Sequence, residues 1–213
     1  MSKYKHIFWD WNGTIIDDAA LCVRVTNTLL ERRDTALIDL PVYLEKFTFP
    51  VINFYHAIGF DFTEKEYPEV AHEWISEYKN LFYDNSSLNG DVIGALELIK
   101  NKQMTQSILS ACESTLLNDS IDHLNLRPYF KDVHGTDNVR AHGKVDLARS
   151  VIEELHCENH EALLFGDTIH DYEVAQEIGI DCVLIAQGHQ SEARLRQCGA
   201  PVISDISFVH TVL

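Results

Sequence analysis

Short apolar runs alternate along this chain with longer stretches in which apolar residues return every three or four positions. The runs at 6–9 (HIFW), 106–109 (QSIL), around Val133, at 162–165 (ALLF), at 182–186 (CVLIA) and at 201–204 (PVIS) are β-branched or aromatic in character and bounded by Gly, Asp, Ser or Pro, so they predict strands. Between them, 92–100 (VIGALELIK), 114–124, 145–155 and 171–178 carry a 3.6-residue period, and Gly179 reads as a helix stop. Strands that alternate with helices pair in parallel through right-handed crossovers. The pattern therefore predicts an α/β fold, a doubly wound, mainly parallel Rossmann-like sheet.

One stretch breaks the alternation. Residues 17–85 show helical periodicity, no good strand and many aromatics, among them Tyr43, Phe47, Phe49, Phe54, Tyr55, Phe60, Phe62, Tyr67, Tyr78, Phe82 and Tyr83. So long an insertion is no loop. It predicts a helical cap domain at 17–85 beside the first strand's carboxyl end, with 1–16 and 86–213 forming the α/β core domain. That position suits a lid, and extra helices packed on the sheet without gating are the alternative.

Composition narrows the function classes. The chain has 213 residues, and 17 basic against 33 acidic side chains leave a net charge of −16. So acidic a surface repels phosphate backbones and anionic lipids, so neither nucleic acid nor membrane is expected as a partner. The N-terminus runs straight into a strand-like segment without the apolar core of a signal peptide, and no apolar stretch is long enough to span a bilayer. Cys22, Cys112, Cys157, Cys182 and Cys198 are scattered without a CxxC pair. Reduced thiols and a cytoplasmic location are the expectation.

The chemistry gathers at the predicted strand ends. Asp10 follows the first strand and opens the turn Trp11-Asn12-Gly13-Thr14; Ser110 ends the second; Lys144 stands beside Gly143 at the start of a helix; Asp167 and Asp171 flank the turn 166–171 (GDTIHD). In a parallel sheet such ends meet at one edge. Converging carboxylates repel unless a cation sits among them, and hard oxygen ligands without a Cys/His cluster suit Mg²⁺. With a hydroxyl, a lysine and free backbone N–H groups, the set makes a phosphoryl clamp. Asp10 is then a candidate nucleophile, because carboxylates form aspartyl-phosphates.

Asp10-Trp11-Asn12-Gly13-Thr14, Ser110, Lys144 and Gly166-Asp167-Thr168-Ile169-His170-Asp171 resemble, in order, the four motifs of the haloacid dehalogenase (HAD) superfamily. The insertion after the first motif resembles its helical C1 cap, and the nearest branch is the phosphoglycolate phosphatase-like one. The resemblance implies a Mg²⁺-dependent phosphatase acting on a small phosphorylated metabolite. It implies that Asp10 attacks phosphorus and that Asp10, the main-chain carbonyl of Asn12 and Asp167 hold Mg²⁺, with Asp171 binding or orienting the metal through water. Ser110 then bonds a phosphoryl oxygen, Lys144 neutralises charge between that group and Asp10, and backbone N–H groups near Trp11, Ala111 and Cys112 line the anion pocket.

Asn12 departs from that family's pattern, which has a proton-donating Asp there. An amide donates a hydrogen bond but delivers no proton near neutral pH. Four readings follow: a phosphatase with another proton source or an undemanding leaving group; a non-catalytic phospho-ligand binder or interaction protein; a metal-free dehalogenase; and a phosphonate hydrolase, which needs a cap lysine such as Lys46, Lys65 or Lys79. The pair Asp167 and Asp171 speaks for a metal. His170 reads as a solvent-facing loop histidine, His6 as a sheet residue and Cys112 as a small, partly buried thiol. Thr14 reads as a structural brace, and Phe47, Phe49, Tyr55 and Phe60 as the cap aromatics to test first.

Overall fold

The computed structural model describes residues 3–136, 144–155 and 157–213. Gly143 lies outside them. The elements run β1 (His6–Trp9), β2 (Ile16–Asp17), α1 (Ala19–Glu31), α2 (Leu40–Lys46), α3 (Val51–Ala57), α4 (Tyr67–Asn85), β3 (Ser87–Leu88), α5 (Val92–Asn101), β4 (Thr105–Glu113), α6 (Ser114–His123), β5 (Asp132–Thr136), α7 (Lys144–Leu155), β6 (Ala162–Gly166), α8 (Ile169–Ile178), β7 (Asp181–Ile185), α9 (Glu192–Leu195) and β8 (Val202–Ile203).

Six strands form one parallel sheet in the order β5-β4-β1-β6-β7-β8. β1 is central and wholly buried, which is why it reads as an unbroken apolar run. Its Ile7 and Trp9 face a cluster with α1, α5 and α6, while Phe8 faces Ala148, Val151 and Ile152 of α7 and Val174 and Ala175 of α8. The chain lays β4 and β5 on one side of β1 and then crosses to β6 on the other, so a crevice opens at the carboxyl end of β1.

The helices α1–α4 occupy the stretch after β1, and their aromatics (Tyr43, Phe54, Tyr55, Phe60, Tyr78, Phe82) continue the same apolar cluster as Ile7 and Trp9. A two-strand antiparallel ribbon, Ile16↔Leu88 and Asp17↔Ser87, closes the base of this stretch. Two residues per strand carry too little pattern to be read from sequence.

Two expectations need correction. β4 does not end at Ser110 but runs to Glu113, with a register shift between Leu109 and Glu113 that sets Ser110 inside an irregular stretch. Polar residues there imitate a strand end. α8 begins at Ile169, so Asp171 belongs to its first turn, where a reciprocal capping box with Thr168 fixes it. Gly179, at φ 76°, ends that helix as expected. Among the described residues no helix is long and apolar enough to cross a membrane.

His6 is a sheet residue, bonded through Nδ1 to Thr105 Oγ1 at 2.7 Å. Burial, helped by Lys131 and His134, pushes it down to about 3. Between pH 3 and the unfolded value near 6.5 the unfolded chain therefore binds the extra proton, so stability falls as pH drops through this window. Urea denaturation of the wild type and of His6→Leu at pH 7.5 and 4.5 checks this. The wild type is expected to lose more than the variant, on the order of 1.4 kcal/mol per unit of pH within the window. Equal losses would leave His6 with no part in the acid sensitivity.

Candidate active site

β1 stops at Trp9 and the turn after it leaves the sheet at the crevice. Asp10 N–H still bonds Phe165 O at 2.9 Å, holding the start of the turn to β6. Gly13 sits at φ +74°, and a Cβ there would lie 2.3 Å from Asp167 Oδ2, so the turn needs glycine for both conformation and space.

Carboxylate oxygens of Asp10, Asp167 and Asp171 all lie within 4.8 Å of one another, buried. Lys144, 5% exposed at the head of α7, bonds Asp10 Oδ1 at 2.6 Å and Asp171 Oδ1 at 2.5 Å. Thr14 Oγ1 and His189 N–H donate to the two oxygens of Asp167 at 3.0 and 2.6 Å. Thr14 is thus a direct hold on a candidate ligand, more than a brace for its own loop. Asp171 Oδ2 accepts from Thr168 Oγ1 at 2.7 Å.

The electrostatics are those of crowded anions. Burial, with Asp171 and Asp167 near, pushes the Asp10 carboxyl well above the ordinary carboxylate range although Lys144 pulls it down. Burial likewise lifts Asp167 to about 6 against the opposing pull of His189. For Asp171 burial is outweighed by Lys144 and Thr168, which hold it below the ordinary range. Burial also opposes the charge of Lys144, yet Asp10 and Asp171 outweigh it and hold the amine above the ordinary lysine range.

This donor set fits Mg²⁺. Carbonyls of Trp11, Gly13, Thr14, Ile15 and Ile16 accept hydrogen bonds from Ile15, Ile16, Asn89 and Gly13, while that of Asn12 accepts none among the described residues. The main-chain oxygen of Asn12, two residues after Asp10, is thus left without a described donor, and with the three buried carboxylates it offers the hard-oxygen ligands that Mg²⁺ takes. Asp10, Asn12, Asp167 and Asp171 are the residues that could hold it. For an anion, the N–H groups of Trp11 and Asn12 donate to no described residue. Ser110 Oγ accepts from Cys112 N–H at 3.0 Å, so its own proton is available, whereas the Cys112 N–H expected in the anion pocket is spent. Burial pushes the Cys112 thiol up, which makes it a poor nucleophile.

A cavity of about 190 Å³ rises from this floor, with Asp10, Asn12, Ser110, Ala111, Lys144, Asp167 and Asp171 in its lining. Its roof is aromatic: Tyr43, Phe47, Phe49, Tyr55, Trp74 and Tyr78. Phe60 does not join them and packs on Tyr55 behind the wall, rings 4.9 Å apart. His170 is not a solvent-facing loop residue. It lies in α8, lines the cavity and stacks on Phe49 with centroids 4.5 Å apart, because α8 starts two residues earlier than its periodicity suggests. Lys46, Lys65 and Lys79 are outside the cavity lining; Lys46 bonds Ala57 O, and Lys79 pairs with Glu113 at 2.9 Å. A phosphonate-type lysine is therefore lacking among these three.

Sequence reasoning missed a second buried layer. Asp18 and His189 form an ion pair at 3.2 Å, and His189 Nδ1 meets Tyr43 OH at 2.9 Å. Burial opposes the imidazolium, but Asp18 overcomes it and lifts His189 to about 9. A signal for His189 existed, since Gln187-Gly188-His189 follows a parallel strand's carboxyl end. Asp18 had none. Gly188 was missed as well: a Cβ there would lie 2.2 Å from Asp167 Oδ2. Gly188→Ala should push Asp167 aside; were Mg²⁺ held by Asp167, its affinity would fall by roughly 10–100-fold, the usual cost of disturbing a ligand's support. Calorimetric Mg²⁺ titration checks it, and an unchanged affinity would remove Asp167 from the ion's shell.

Residues 7–185 match the family described as haloacid dehalogenase-like hydrolase. The chain belongs to that family. It is 26% identical over 203 residues to a 5'-nucleotidase of Pseudomonas aeruginosa, covering 91% of this chain and 88% of that one. Among solved structures it resembles a haloacid dehalogenase-like family protein of Streptococcus pneumoniae (TM-score 0.79, 18% identity, 100% and 99% of the two chains). It also resembles a predicted phosphoglycolate phosphatase of Haemophilus somnus (TM-score 0.79, 15% identity, 100% and 99%).

Proposed function

We propose that this chain is a Mg²⁺-dependent phosphatase that hydrolyses a small phosphate monoester through an aspartyl-phosphate on Asp10. The observation that carries this reading is the meeting of Asp10, Lys144, Asp167 and Asp171 beside the available hydroxyl of Ser110. A bound Mg²⁺ would screen the crowded carboxylates and the phosphoryl oxygens, letting an anion approach a protein of net charge −16. Lys144 neutralises the phosphoryl charge beside Asp10, and Ser110 with the N–H groups of Trp11 and Asn12 orients the phosphoryl oxygens. Asp10 Oδ then attacks phosphorus in line with the departing oxygen.

The cavity roof favours an ester whose leaving group carries a flat aromatic ring. Aromatic side chains stack on rings, whereas among the described residues the roof from α2 to α4 lines the cavity with no lysine or arginine to pair a carboxylate. That speaks for a nucleoside monophosphate, in keeping with the nucleotidase relative, over phosphoglycolate. A panel of nucleoside 5'-monophosphates, phosphoglycolate and p-nitrophenyl phosphate, assayed for phosphate release with Mg²⁺ and with excess chelator, tests the proposal. Release that needs Mg²⁺ and favours nucleotides over phosphoglycolate, both of them alkyl esters, is expected, with p-nitrophenyl phosphate as the control for a good leaving group. Undiminished release in chelator would overturn the metal reading, and phosphate binding without any turnover would make the chain a phospho-ligand binder.

A further inference from the structure

Behind the catalytic floor, Asp18 is a carboxylate surrounded by donors. Its side chain is 0% exposed. Oδ1 accepts from Gly13 N–H at 2.9 Å and faces His189 Nε2 at 3.2 Å. Oδ2 accepts from Tyr78 OH at 2.6 Å, from Asn12 Nδ2 at 2.8 Å and from the Cys22 thiol at 3.6 Å. A carboxylate so placed is acceptor-only, which fixes which end of the Asn12 amide faces it. Asn12 Nδ2 also donates to Tyr78 OH at 2.9 Å, so the amide nitrogen is turned to the layer behind. Asn12 itself lines the cavity, and no described residue donates to its Oδ1.

We propose that Asp18, with Tyr78, is a positioning residue that locks Asn12 with its amide oxygen toward the phosphoryl site. Residue 12 then accepts a hydrogen bond from the attacking water and supplies no proton to the departing group. The inference rests on the phosphatase reading for its kinetic side and on geometry alone for the orientation. In the first step Asp10 Oδ bonds phosphorus while the ester P–O bond breaks, its electron pair leaving on the substrate oxygen as an alkoxide or aryloxide that solvent protonates. In the second, water bonds phosphorus, the P–O bond to Asp10 breaks with its pair returning to the carboxylate, and the water's proton passes to solvent. Asn12 Oδ1 can orient that water in the second step. In the first it has nothing to give, so the enzyme should discriminate by leaving-group basicity.

The geometry also names a variant that reverses the arrangement, the exchanged pair Asn12→Asp with Asp18→Asn. The amide oxygen introduced at position 18 keeps Gly13 N–H and His189, and its NH₂ donates to the carboxylate introduced at position 12 and to Tyr78 OH. Net charge and hydrogen-bond count between the two positions persist, but the carboxylate now lines the cavity.

Two measurements decide. In ¹⁵N-labelled wild type, the side-chain NH₂ of Asn12, identified by its loss in Asn12→Asp, should exchange at least about tenfold more slowly than exposed asparagine amides. Exchange as fast as theirs would overturn the lock. For kinetics, kcat/KM is measured with Mg²⁺ on p-nitrophenyl, phenyl and ethyl phosphate. The wild type is expected to fall at least about 100-fold from the first to the last, and the exchanged pair to narrow that gap by roughly 10²-fold, the range of general acid catalysis. A wild type indifferent to the leaving group, or a folded exchanged pair with an unchanged gap, would overturn the proposal. Should the pair variant not fold, the wild-type series and the exchange experiment still decide. Release of no phosphate from any of the three esters would sink the phosphatase reading instead, with the exchange experiment standing apart from it.

Discussion

Under the proposed aspartyl-phosphate mechanism, Asp10→Asn is expected to leave a folded protein that releases phosphate at least about 10⁴-fold more slowly, as loss of a covalent nucleophile does. The amide lacks the charge to attack phosphorus, and no described neighbour can replace it: Asp167 is held by Thr14 and the His189 N–H, and Asp171 by Thr168 and Lys144. Folding should survive because the native state already resists the Asp10 charge, with burial and two neighbouring carboxylates pushing its carboxyl upward. A neutral side chain of the same shape relieves that repulsion and still accepts from Lys144. The thermal midpoint in chelator should therefore be equal to the wild type's or higher. Phosphate release and thermal unfolding, measured side by side, check both halves. A variant that retains a tenth of the activity would move the nucleophile elsewhere.

Lys144→Met should have the largest effect on stability. The amine is buried between Asp10 and Asp171, and deleting one partner of a buried ionic group strands the others without compensation. A loss of about 3–5 kcal/mol is expected in chelator. Mg²⁺ should restore part of it, since a ligand that binds only the native state at a hundred times its dissociation constant adds about 2.7 kcal/mol. Urea denaturation with chelator and with excess Mg²⁺ measures the two terms. An unchanged midpoint in chelator would mean that the carboxylates do not depend on Lys144, and absence of any Mg²⁺ rescue would argue against an ion in their midst.

The candidate site was legible to the extent that it lies at ends of elements. Asp10 and Asp167 follow unbroken apolar runs, and Lys144 opens a periodic one, so each could be placed at the sheet's edge from its neighbours alone. Ser110 follows the same logic although β4 runs on to Glu113: Trp9, the last residue of β1, pairs with Ile108, so Ser110 stands beyond the end of β1, in the cavity lining. Asp18, Tyr78, His189 and Tyr43 were illegible as a set. Asn12 meets Tyr78 across 66 positions and Tyr43 meets His189 across 146, and no local period encodes such pairings. His170 was misread because a helix start two residues earlier turned a loop side chain into part of the cavity wall.

Local chemistry sufficed for the parallel α/β architecture, the helical stretch after β1 and the acidic edge with its lysine, since burial period, turn glycines and charge act between near neighbours. Tertiary packing alone decided which way the Asn12 amide points and that aromatic rings roof the cavity. Both depend on α4 and the loop after β7 closing over the turn at Asp10, where desolvated hydrogen bonds between distant segments choose among orientations that the chain by itself leaves equal.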